Sequence, residues 1–162
     1  MVRWFKIIGN QYFGFWFPGL VLFAVQELPY LLMPFINPKT NPIMHMHETS
    51  ALLDLMEKIS GSLCIALMIF VIHKDAELFS VSSAWEKIFF GLTLTVLAAN
   101  YTGWGLYYTG HQSLLVMMLF IVAMPPLYYI TIGLWRRNLP LAVTGMIFFA
   151  IHFSHVLQNL KS

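Results

Sequence analysis

The chain has 162 residues, of which 59% are hydrophobic and only 10% charged, with a net charge of +2. That balance excludes an ordinary soluble domain, and the nine basic residues are scattered rather than gathered into a stripe, which excludes nucleic acid as a partner. The expected class is all-α: a polytopic integral membrane protein built as one domain, a bundle of about five transmembrane helices, with the lipid bilayer as its first partner.

A span needs roughly 20 mostly apolar residues to cross about 30 Å of hydrocarbon. Five windows qualify in chain order: about 12–35, 50–72, 88–108, 113–135 and 140–160. Their apolar runs are long and continuous, which favours helices over the alternating strands of a membrane barrel. The segment "MVRWFKIIGN" leads straight into the first window without a cleavage pattern, so that helix is expected to remain in the mature protein. In the second window Asp54, Glu57 and Lys58 mark its first third as interfacial, entering the bilayer near Ile59. Asp54 and Lys58 stand four apart, as a helical ion pair would. Cys64 is the single cysteine, which rules out an intrachain disulfide and reads as a core residue.

Cationic loops are retained in the cytoplasm. Arg3, Lys6, Lys74, Lys87, Arg136 and Arg137 fall on one side, against Lys39, Lys58 and Lys161 on the other. This distribution predicts a cytoplasmic N-terminus and an extracytoplasmic C-terminus, in a plasma membrane or bacterial inner membrane. With a rise of about 1.5 Å per residue, Glu27 then lies roughly 20 Å from the cytoplasmic end of the first helix, in the outer half. Asn100, His152 and His155 fall in the same half. His45, His47 and Glu48 lie in the first outer loop and His111 in the second, so only His73 of the six histidines sits at the cytoplasmic edge.

Ionisable groups at membrane depth are costly and normally face a bundle interior or a wet cavity. Glu27, in "AVQELPY", is followed by Pro29 and Pro34, which should free carbonyls near Val25, Gln26 and Tyr30 for water, a cation or a ligand. Asn100, Trp104, Tyr107 and His111 recur at spacings of four, three and four on one helical face. Helix five carries Thr144, Phe148, His152, His155 and Asn159 at helical spacing. The expected ligand-binding set is Glu27, Glu57, Asn100, Trp104, Tyr107, His152 and His155, lining a polar pocket toward the outer leaflet. Its ligand is expected to be small or amphipathic, a lipid or a solute, with coupled proton movement as a possible transport function.

Two alternatives stand beside this. His152 and His155 are three apart and suit a shared proton or a divalent metal, so a metal-dependent enzyme modifying lipid is the second reading. The loop "NPIMHMHETS" adds His45 and His47 among methionines, a ligand chemistry suited to copper. Haem finds no second histidine at matching depth on another span. The third reading is an accessory subunit bound to another membrane protein; five helices make a small transporter, so a transport role would call for a homodimer. The fourth window has no ionisable residue, is kinked at "AMPPLYY", and is expected to be packing or a lipid-facing wall.

Overall fold

The computed structural model describes residues 2–36 and 38–161. Two strands open the chain, β1 (Val2–Ile8) and β2 (Gln11–Phe15), followed by α1 (Phe17–Ile36) and α2 (Ala51–Phe70). A short β3 (Val71–His73) continues directly from α2, and α3 (Ala84–Tyr108) comes next. The fourth long helical stretch is composite: α4 (Leu114–Val116), a π-helical segment (Met117–Val122) and α5 (Met124–Trp135). The last helix is α6 (Leu139–Lys161). The chain is thus mostly helical, and among the described residues three helical stretches, Phe17–Ile36, Leu114–Trp135 and Leu139–Lys161, are long and apolar enough to cross a membrane. The two other long helices are more polar, α2 through Asp54, Glu57 and Lys58, α3 through Glu86, Lys87 and Asn100.

The all-α expectation is corrected at one end. A three-stranded antiparallel sheet in the order β1-β2-β3 replaces the start of the first window, so residues 12–15 are strand rather than helix. The cause is local. Gly9 adopts a positive φ of 53° between "VRWFKII" and "QYFGF", and the β-branched and aromatic residues on either side pair across the turn. Asn138 then fastens the α5–α6 connection to this end. Its Nδ2 donates to the carbonyls of Leu67 and Val71, both at 2.9 Å, while its Oδ1 accepts from the Leu141 N–H.

The composite fourth stretch packs at the centre of the bundle, the first of the two roles expected of it. Half of its apolar window is buried, against 22% for α1 and 33% for α6. Small residues allow the close approach: a Cβ on Gly133 would lie 2.6 Å from the Ala142 nitrogen, and one on Gly103 would lie 2.4 Å from Phe120 Cβ. The π-turn follows from "MPP". Pro125 and Pro126 lack N–H groups, so the preceding turns cannot complete a regular i→i+4 ladder, and the Ala123 N–H reaches back five residues to the Met118 carbonyl.

Basic residues collect at the sheet end, where the Arg3 guanidinium donates to the Lys74 carbonyl and Arg136 lies over the Trp16 ring at 4.6 Å. Burial pushes the His73 imidazole below its ordinary pKa there. The loop carrying His45, His47 and Glu48 lies at the opposite end, joined to the last turns of α6.

Candidate functional site: an acidic and aromatic cavity

Towards that second end, α2 begins under a Ser50 cap, whose side chain accepts from the Leu53 N–H. Two turns on, Glu57 meets both histidines of α6. Its Oε2 lies 2.5 Å from His155 Nδ1, and its Oε1 lies 3.1 Å from His152 Nδ1. His155 Nε2 is in turn 2.9 Å from Glu48 Oε1 and 3.1 Å from Asn159 Nδ2. Asn159 Oδ1 accepts from both the backbone N–H and the hydroxyl of Thr49, which fixes the loop on α6. His155 is buried at 4% exposure, so burial strengthens these contacts. The His152 contact is different in kind. Its Nδ1 is close to the carboxylate but lacks hydrogen-bond geometry, and it is buried with no bonding partner.

A cavity of about 360 Å³ adjoins this cluster, and Glu57 and His152 form part of its wall. Glu27, Gln26 and Tyr30 line it from α1, Trp104 from α3, and Tyr129 and Phe148 from α5 and α6. Ile43 and Met46 of the loop and Ile121 and Val122 of the π-segment complete an apolar remainder. The wall is braced by ring contacts: His152 stacks on Phe148 at 5.0 Å and 27°, and Tyr30 meets Trp104 edge to face at 6.1 Å. The Tyr129 hydroxyl donates to Gln26 Oε1 at 3.4 Å, linking α5 to α1.

Of the seven residues expected to bind ligand, Glu27, Glu57, Trp104 and His152 therefore share one cavity wall. His155 stands directly behind it, through Glu57. Asn100 and Tyr107 are used otherwise. Asn100 Nδ2 donates to the Phe120 carbonyl at 3.0 Å, an acceptor that in the π register would look to Pro125 and find no N–H. The Tyr107 hydroxyl donates to Asn41 Oδ1 at 2.7 Å and accepts from the Ile43 N–H, pinning the loop to α3. The carbonyl freed by Pro29 is that of Val25, and the Tyr101 hydroxyl takes it at 2.7 Å. Sequence reasoning noted Gln26 and Tyr30 only for their carbonyls and Phe148 only for its place on the helical stripe, and passed over Tyr129, because aromatic residues in an apolar span look alike whether they face lipid or a cavity.

For a metal, the arrangement is unfavourable. Both nitrogens of His155 face carboxylate oxygens, His45 and His47 are exposed on the loop, and among the described residues no group of three or more His, Cys, Asp or Glu side chains is placed to hold an ion. Lys58 pairs with Asp54 at 2.6 Å, as their spacing predicts. Cys64 is fully buried in the main core cluster. Compared with protein-family models, curated proteins and solved structures, the chain matches none.

Proposed function

We propose that this chain is a multi-pass membrane protein of five spanning helices, in a plasma or bacterial inner membrane, that binds a small amphipathic ligand inside the bundle. The N-terminus and sheet lie on the cytoplasmic side in this reading, following the basic residues, and the cavity lies in the outer half. The exposed apolar side chains of α1, among them Leu28, Leu31 and Phe35, then face lipid.

One observation carries the reading. Glu27, Glu57, Trp104 and His152 come from four different helices and converge on a single cavity of about 360 Å³. A volume of roughly 300–1,000 Å³ with mostly apolar walls and a few convergent polar groups is the usual form of a small-molecule site. Ionisable side chains held at membrane depth without such a use carry a cost of a few kcal/mol or more. The ligand's apolar body would contact Ile121, Val122 and Phe148, and its polar end would face the carboxylates.

The test is native mass spectrometry of the protein released from lipid nanodiscs, comparing wild type with Ile65→Trp, which fills the cavity from α2. A single small molecule retained by wild type and lost from the variant, at similar thermal stability, supports the reading. Equal lipid adducts on both proteins contradict it.

A further inference from the structure

We propose that the cavity selects a lipophilic cation, an amphiphile whose polar end is a protonated amine. This rests on the reading of the cavity as a ligand site and adds the chemical class of its occupant.

The first argument is charge. Among the described residues two carboxylates, Glu27 and Glu57, line the cavity, and no lysine or arginine does. The nearest cation along α2, Lys58, is held by Asp54 and is 71% exposed. Glu27 makes no ion pair with any lysine or arginine among the described residues. Even with His155 protonated between Glu48 and Glu57, that trio keeps one negative charge, and Glu27 brings a further carboxylate to the same wall. In surroundings of low dielectric, such an excess favours a cation and repels an anion.

The second argument is an unfilled hydrogen-bond position. His152 Nδ1 is buried without a partner, 3.1 Å from Glu57 Oε1. An ammonium group carries three N–H donors and no acceptor. Seated on the cavity side of these two atoms after a small turn of the His152 ring, it would donate to both, which a hydroxyl with one donor could not do.

The third argument is the walls. Tyr30, Trp104, Tyr129 and Phe148 present aromatic rings to the same space, and ring faces attract cations when water is excluded. Charge, donors and aromatic faces thus point to one class.

Saturable binding of radiolabelled decylamine, decanol and decanoate to the protein in phosphatidylcholine nanodiscs, corrected with empty discs, separates the possibilities. The expected result is one decylamine site at least about tenfold tighter than decanol, with decanoate weakest. Glu27→Gln, which leaves the His152–His155–Glu57 cluster intact, should remove most of the preference for decylamine over decanol. Decanol binding as tightly as decylamine, or a preference for decanoate, overturns the cation inference and leaves the cavity reading standing. If none of the three binds saturably and Ile65→Trp behaves as wild type, the cavity reading itself falls.

Discussion

His155 Nδ1 lies 2.5 Å from Glu57 Oε2, and through this contact and its Nε2 bond to Glu48 one buried imidazole joins α6, α2 and the preceding loop. Removing one partner of a buried pair leaves the other without compensation, at a cost of about 3–5 kcal/mol. His155→Ala and Glu57→Gln should each destabilise the protein strongly, and the double variant should cost less than the sum, with a coupling of about 1–3 kcal/mol. Equilibrium unfolding of the four proteins in one detergent measures this. Additive losses would mean that the pair is not a unit.

Asn100 completes the π-segment. Asn100→Leu leaves the Phe120 carbonyl without its side-chain donor, which should lower stability by about 1–3 kcal/mol. Binding to the cavity should be weakened only slightly, since Asn100 is not on its wall. Unfolding and ligand titration of the same preparation distinguish that outcome from a direct role in binding.

Packing between α5 and α6 is tight at Gly133. A methyl group there meets Ala142 backbone at 2.6–2.9 Å, so Gly133→Ala should cost about 1–3 kcal/mol through displaced helices. Gly91 in α3 has open space around its Cβ position, and Gly91→Ala should be neutral or stabilise by up to about 1 kcal/mol. Thermal midpoints of the two variants measure the contrast, and equal shifts would contradict it.

Glu86 provides the pH dependence. It lies two residues ahead of the apolar stretch of α3 and accepts from the Ser82 backbone N–H, the Ser80 hydroxyl and the Ser83 N–H, which hold its carboxyl at about 2. A folded pKa below the unfolded value of 4.5 contributes stability that is present above pH 4.5 and is lost as the pH falls toward 2. Glu86→Gln should therefore lower the thermal midpoint at pH 7, with the difference from wild type shrinking through that window. A difference that stays constant down to pH 2 would exclude the ionised cap as its cause.

Much of the candidate site was legible because ionisable residues are rare in apolar spans, and helical spacing combined with the basic-loop argument put Glu27, Glu57 and His152 at one depth. Depth could not tell wall from brace. Asn100 and Tyr107 sit at the right level on the right helix, yet their polar atoms are taken by the Phe120 carbonyl and by Asn41. Composition left the composite fourth stretch as either packing or a lipid-facing wall, because an uncharged helix suits both, and close contacts such as Gly133 against Ala142 give it the packing role. The hairpin did leave a trace: a Gly-Asn turn between two runs rich in aromatic and β-branched residues, at the edge of a window judged by hydropathy alone.

The most direct measurement is a high-resolution structure of the protein in lipid nanodiscs with decylamine present. The account predicts density for one elongated molecule between α1, α2 and α6, its amine within hydrogen-bond distance of Glu27 or Glu57 and its chain against Ile121 and Phe148. A cavity without such density, or one closed by Tyr30 and Phe148, would contradict it.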